Sequence, residues 1–447
     1  MKFQPYWIGG ALVIVVLLAS LMFAPARSCA KNCNVLLIMV DTLSGEHLAT
    51  YGYMRDTMPK TTAFFEKGVI FENASSNAPW TLPSFSSMYF SDLASTITFA
   101  ELDDNSRPNL QMQLRDSGVA LLVIRPKGDN FIFDTITRLF EPGEITSSAQ
   151  ENESSIDVAP KELEQLTAAG QPFFLVVHTF EAHDPYRPRE PYTEYFGETD
   201  EHPVVTMQQL VAINQSGETL NPELADTFRL RYDQQLAQTD AHLARFLNSI
   251  PPETLRTTLI IFSSDHGESF GEHGKLWHAS SGLFEEELHV PLMMRVPGVA
   301  ARRVSEPVSL MDIAPTVLAF MQLPIPETFQ GDNLLPVANG KSLGERVIPS
   351  VNGFPFFRLP GDISNIQTNL EEAGAAGLPR PIIDLSAAGV RRGDDKVFLI
   401  PDGPLSGLYW YDLRADPNEQ TNKAEELTVP TDLLDMVSHI HVSSHAP

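Results

Sequence analysis

Cysteine is almost missing from the 447 residues: Cys29 and Cys33 are the only two. One small disulfide loop near the N-terminus is all they allow, and only in an oxidising compartment. Positive charge is scarce as well. Lys and Arg number 31 against 57 Asp and Glu, a net charge of -26. That balance excludes nucleic-acid binding, which needs Lys and Arg on phosphates, and polybasic docking on anionic lipid. An anionic substrate would have to find its positive charge locally, in a metal ion or a few placed cations. Internal repeats and long low-complexity tracts are missing too. With 43% hydrophobic and 20% charged residues the chain reads as globular. Its length allows a large core and two domains. The one long run that is both uncharged and strongly apolar is Trp7–Phe23, with Lys2 before it and Ala24-Pro25-Ala26 after it. Residues 1–30 fit a signal peptide or a membrane anchor. Either reading exports the rest of the chain, to the periplasm or to the outer side of a membrane.

Several short apolar runs have the character of strands covered on both faces. They are "NVLLIMVD" (34–41), "VALLVIRP" (119–126), "PFFLVVHTFEAHDPY" (172–186), "TTLIIFSSDHGE" (257–268) and "VPLMMRVPG" (290–298). Between them lie helical patterns, "KTTAFFEKG", "NLQMQLRDSG" and the long "ADTFRLRYDQQLAQTDAHLARFLNSI". "SLMDIAPTVLAFM" carries Pro315 and reads as one helix or two pieces. Strands alternating with helices predict an α/β fold with a mostly parallel sheet between helical layers. We expect this domain over 31–325. Beyond it, "KVFLIPDG" and "GLYWYDLRADPNE" predict an antiparallel pair in a smaller C-terminal α+β subdomain, 326–447.

Ligands of such sheets sit outside the carboxyl ends of the strands. Asp41, His178, His183, Asp265 and His266 all end or follow an apolar run. Asp265-His266-Gly267 places a carboxylate and an imidazole together at a strand end. Carboxylates suit hard divalent ions and imidazole suits Zn or Mn; a hydrogen-bonded turn is the plain alternative. His273 and His278 follow soon after and carry little weight singly. His183 stands beside Asp184-Pro185 as a proton donor or a turn-packing residue, and His178 reads as a core histidine. In "NAPWTLPSFSSMYFS", Thr81 precedes Pro83 and an apolar helical segment. Thr is a good N-cap. The same placement puts a hydroxyl where a helix N-terminus favours an anion, and beside a divalent cation it could serve as a nucleophile.

Taken in order, these stretches resemble the sulfatases of the alkaline phosphatase superfamily, over roughly 33–425. "NVLLIMVDTLSGEHLATYGY" is similar to the family's opening strand, which implies Asp41 as a metal ligand. "APWTLPS" is similar to the nucleophile motif Cys/Ser-x-Pro-Ser-Arg and implies Thr81 as nucleophile. "FFLVVHTFEAHDPYRP" is similar to the His-x-Pro-Tyr segment, which gives His183 an active-site role. "SSDHGESFGEHG" resembles the second metal element and implies Asp265 and His266 as ligands. The resemblance implies one divalent ion (Ca, Mn or Zn) and an anionic ester substrate, sulfated or phosphorylated.

Some residues depart from the family pattern. Sulfatases usually oxidise a Cys or Ser to formylglycine, and Thr81 cannot yield that aldehyde. Phe85 replaces the motif's Arg, Thr42 stands where many members have a second Asp, and His278 stands where a Lys often faces the substrate. A Thr nucleophile resembles the superfamily's phosphodiesterases and phosphotransferases. We therefore expect a sulfatase-like, metal-dependent hydrolase of sulfate or phosphate esters, with Thr81, His183 and His278 catalytic. The alternatives are a membrane-anchored phosphotransferase acting on lipid or glycan head groups, and a degenerate binding protein with the same fold.

Overall fold

The structure is a computed structural model. It describes residues 33–97, 101, 106–127, 136–147, 154–197, 221–278, 282–352, 387–401 and 405–445. The expected signal peptide or anchor and Cys29 lie outside these residues; Cys33 is buried. Among the described residues no helix is long and apolar enough to cross a membrane.

Eight strands form the main sheet: β1 (Asn34–Val40), β2 (Val69–Phe71), β3 (Ala120–Arg125), β4 (Ile145–Ser147), β5 (Phe173–Thr179), β6 (Thr258–Ser263), β7 (Leu292–Arg295) and β8 (Arg302–Val304). Their order across the sheet is β8-β2-β7-β6-β1-β5-β3-β4. The run from β6 to β4 is parallel, and β7 lies antiparallel to both β6 and β2. The "VPLMMRVPG" segment is thus the exception to the parallel pattern. It follows β6 after residues 264–291 and runs back beside it, with Leu292 opposite Ser263.

The central strands β1, β5 and β6 are buried at every position because both faces are covered. Val35, Leu37 and Met39 of β1 pack on one side with α2 (Thr81–Phe90), α3 (Leu110–Asp116) and α7 (Ile313–Phe320). Leu36, Ile38 and Val40 pack on the other with α1 (Pro59–Phe65), α4 (Ser155–Ala169) and α5 (Pro222–Ser249). This is the alternation of a strand sandwiched between layers. α6 is a single turn, Glu285–Leu288. The "SLMDIAPTVLAFM" segment does divide. A 3-10 turn, Leu310–Asp312, leads into α7, and Pro315 sits in the first turn of α7, where a missing N–H costs nothing.

A second sheet is antiparallel and four-stranded: β9 (Val347–Val351), β10 (Ala388–Arg392), β11 (Asp395–Ile400) and β12 (Gly407–Asp412), in that order. Helix α8 (Thr431–His445) packs its Leu433 and Val437 on it. The expected hairpin "KVFLIPDG"/"GLYWYDLRADPNE" is β11–β12. β10 joins it through the two-residue turn Gly393–Asp394, and β9 pairs with β10 across residues 353–386, which short-range patterning does not reveal.

Candidate active site

The carboxyl ends of β1, β5 and β6 come level because of their register. Met39 pairs with His178 on one side and Ser263 on the other. Asp41 then extends the ladder, its N–H donating to Thr179 O at 2.9 Å. Asp41, His178, Asp265 and His266 are thereby gathered at one edge, all buried. Ligand atoms of Asp41, His178 and Asp265 lie within 4.8 Å of one another.

Each carboxylate uses one oxygen and leaves the other. Asp41 Oδ2 is 2.8 Å from His178 Nε2. Asp265 Oδ1 accepts from Thr42 N at 3.2 Å and His266 N at 3.1 Å. Asp41 Oδ1 and Asp265 Oδ2 are buried with no hydrogen-bond partner. Buried polar atoms are normally satisfied, and orphaned ones demand a cause. Both orphans flank His266 Nε2, at 3.8 and 3.5 Å. That nitrogen also lies 3.3 Å from Thr81 Oγ1. The other ring nitrogen, Nδ1, faces the Gly267 carbonyl at 2.9 Å. A carbonyl only accepts, so Nδ1 carries the proton and Nε2 presents a lone pair. Two carboxylate oxygens, an imidazole lone pair and a hydroxyl therefore converge. This donor set fits a divalent cation.

Thr81 is the first residue of α2, not its cap. Trp80 takes the extended cap position (φ -163°) and makes no side-chain capping bond. The Thr81 hydroxyl is thus released from capping and faces His266. Ser84, one turn into α2, donates to the Asp265 carbonyl at 2.6 Å and moors the helix to the β6 end. Thr42 adopts φ 60°, a left-handed conformation costly for a β-branched residue. The strain turns its N–H onto Asp265, while its carbonyl accepts from Tyr232 OH at 2.7 Å. Gly267 is required: a Cβ there would come within 2.1 Å of the Glu286 carbonyl. Phe85 is buried, and its ring centroid lies 4.8 Å from that of His178.

Three imidazoles follow one another outward. The rings of His266 and His278 are 4.5 Å apart, and those of His278 and His183 are 5.0 Å apart. His183 Nδ1 is 2.8 Å from the Asp184 carbonyl and 3.0 Å from its carboxylate. Trp277 holds that carboxylate with an indole N–H at 2.9 Å. Burial opposes protonation of His183, but the Asp184 charge and hydrogen bond outweigh it and hold the ring up at about 10. His278 is moved the other way, well below the usual imidazole range, by burial and then by His266 and His183. Burial also pushes Asp265 up, and the Asp41 charge adds to it. Asp41 itself sits low: burial raises it, but the His178 hydrogen bond and neighbouring imidazoles prevail.

The structure brings Asp41, Thr81, His183, Asp265, His266 and His278 into one crevice. His273 stands apart: it stacks on Phe284 at 3.7 Å and bonds Glu286, away from the cluster. Reading His178 as a packing histidine misses its bond to Asp41. Its place at a strand end, in the same run as His183, was the available signal. Glu268 and Tyr186 were missed as well. Both lie inside the quoted motifs, but only the fold shows that they touch.

The comparisons agree with this geometry. The sulfatase family model matches residues 33–323. Arylsulfatase K of Mus musculus is 32% identical over 209 residues, 46% of this chain and 34% of that protein. Choline-sulfatase of Rhizobium meliloti is 25% identical over 307 residues, 65% of this chain and 54% of that one. The match thus spans about a third of the arylsulfatase length. Among solved structures, one in complex with its substrate D-glucosamine-2-N,6-O-disulfate superposes with a TM-score of 0.67 at 16% identity, covering 93% and 98% of the two chains. The phosphonate monoester hydrolase of Agrobacterium radiobacter superposes at 0.62 and 19% identity, covering 92% and 95%. These two likenesses concern the fold. A family match over most of the described catalytic sheet, with the acidic, imidazole and hydroxyl side chains at its strand ends, leads to one conclusion: this chain belongs to the sulfatase family.

Proposed function

We propose that the chain hydrolyses sulfate or phosphate esters through a covalent Thr81 intermediate. The observation that carries this is the Thr81 hydroxyl beside His266 Nε2, among two buried carboxylate oxygens without partners. Asp41, Asp265 and His266 would hold one divalent ion, with His178 backing Asp41. When bound, that ion supplies Lewis-acid charge for the substrate oxygens and lowers the pKa of a hydroxyl beside it.

The chain's own groups account for the proton traffic. Thr81 Oγ, its proton released to bulk water, attacks phosphorus or sulfur, forming the Thr ester as the bond to the leaving alcohol breaks; the same oxygen takes a proton back from water when that ester is hydrolysed. His183, held protonated by Asp184, gives its Nε2 proton to the departing oxygen. Water then attacks the Thr81 ester, restoring the hydroxyl. His278, held neutral, suits removal of a proton from that water. Environments that push two titratable groups apart mark acid and base, and each transfer is typically worth roughly 10²–10⁴-fold.

Thr81 favours phosphoesters. A sulfated formylglycine diol can eliminate sulfate, and a sulfated threonine cannot. The names of the relatives favour sulfate esters, and one fold neighbour carries a disulfated sugar. A panel of aryl sulfate, phosphate monoester and phosphodiester substrates, with divalent ions added back, separates these. A mass increase on Thr81 in quenched reactions is expected. Full rates in Thr81→Ala would refute the covalent route. We propose further that the chain acts outside the cytoplasm, on the strength of Trp7–Phe23; mass spectrometry of the mature N-terminus tests this.

A further inference from the structure

Glu268 lies fully inside the protein, two residues beyond His266, and both of its carboxyl oxygens are in use. Oε1 is 3.0 Å from His278 Nδ1, and Oε2 accepts from Tyr186 OH at 2.7 Å. Its backbone is pinned as well, through Glu268 N to Glu286 O at 3.0 Å. Tyr186 is held in turn among Tyr232, Phe270 and Phe228, with ring centroids 5.4, 6.0 and 6.2 Å away. So the carboxyl group has one position, and His278 must orient to meet it.

We propose that Glu268 is the positioning residue for His278, with Tyr186 as its anchor. The proposal rests on the functional reading above and extends it. An imidazole ring can rotate about Cβ–Cγ and present either edge. Glu268 commits Nδ1, whichever of the two atoms holds the shared proton, and leaves Nε2 as the nitrogen for substrate or water. Tyr186 belongs to the loop that carries His183, and Glu268 belongs to the loop that carries His266. The Tyr186–Glu268–His278 chain is therefore a strut between the loop of the proton donor and that of the proton acceptor. The Trp277–Asp184 bond is a second strut across the same gap. Together they set the 5.0 Å spacing of His183 and His278.

The test uses the full chain with its divalent ion. Glu268→Ala should lower kcat about 10–100-fold, with KM and bound metal little changed. Glu268→Gln keeps an oxygen or an amide for Nδ1 and should restore most of that loss. Tyr186→Phe, a single lost hydroxyl that the fold tolerates, should lower kcat in the same direction but less. The double variant Glu268→Ala/His278→Ala should be no slower than His278→Ala alone, since residues acting as a unit are not additive. Additive losses, or equal losses in Glu268→Ala and Glu268→Gln, would overturn the proposal. Side-chain ¹⁵N spectra supply a readout free of turnover. The His278 Nδ1 resonance should move in Glu268→Ala and stay close to its place in Glu268→Gln; no movement in Glu268→Ala would overturn the strut. Wild-type protein inert on every ester would count against the functional reading, and the spectra alone would then decide the strut.

Discussion

Asp265→Asn should make the ion-free protein no less stable, and at the same time deaf to added metal. Ligand oxygens of Asp41 and Asp265 lie within 4.8 Å of one another, fully buried. Two unit charges at that distance repel by about 3 kcal/mol at an effective dielectric constant of about 20. Part of this is relieved because burial and the Asp41 charge hold Asp265 above its usual range. Asn keeps the Oδ1 acceptor for Thr42 N and His266 N and removes the charge. Binding to the native state alone adds about 2.7 kcal/mol at ion concentrations about 100 times Kd. That corresponds to a Tm rise of about 3 °C for a chain of this length. Thermal melts of chelated and ion-loaded protein read both effects. Wild type should rise on loading. Chelated Asp265→Asn should melt at or above chelated wild type and stay there when ion is added. A full ion-induced rise in Asp265→Asn, or none in wild type, would show that the orphaned oxygens do not form a cation site.

Three further outcomes follow from other parts of the molecule. Thr81→Ala should abolish turnover on every ester, with metal content by elemental analysis near the wild-type value. His273 should make stability fall with rising pH. Burial opposes its charge, but Glu286 outweighs it and lifts the ring from 6.5 to about 8. Because the folded value is the higher one, the contribution is fully present below about 6.5 and is lost as pH passes about 8. It is worth about 2 kcal/mol, and denaturant titrations at pH 6 and 9 on wild type and His273→Gln should show it. Lys396→Met should destabilise by about 3–5 kcal/mol, because Lys396 is the buried partner of both Glu285 (2.6 Å) and Glu419 (2.9 Å); an unchanged unfolding midpoint would remove that role.

The sequence displays the layers of the main sheet because its central strands are runs of mostly apolar residues and its helices are amphipathic. It displays Asp41, Asp265 and His266 because they sit where such runs end. What it hides is register. Nothing in "VVHTFEAH" says that His178 draws level with Met39, and nothing in "DHGES" says that Glu268 turns towards Tyr186 instead of solvent. Thr81 shows the limit of local rules. A threonine before Leu-Pro looks like a cap, but Trp80 occupies that place, and only the packing of α2 against β6 turns the hydroxyl towards His266. β9 escaped for a related reason, since its pairing with β10 spans dozens of residues and leaves no short-range period.

The C-terminal sheet reaches into the catalytic half at two points. Lys396 and Glu419 meet Glu285 behind the Asp265 loop, and Asn77, just before Thr81, donates to Pro349 O of β9 at 2.7 Å. The family model's match ends at residue 323, yet a fragment ending there would strand Glu285 in the interior without Lys396 and cut away the brace behind Thr81. Variation at Pro349, Lys396 or Glu419 should therefore be felt at the chemical centre, through Asn77 and Glu285.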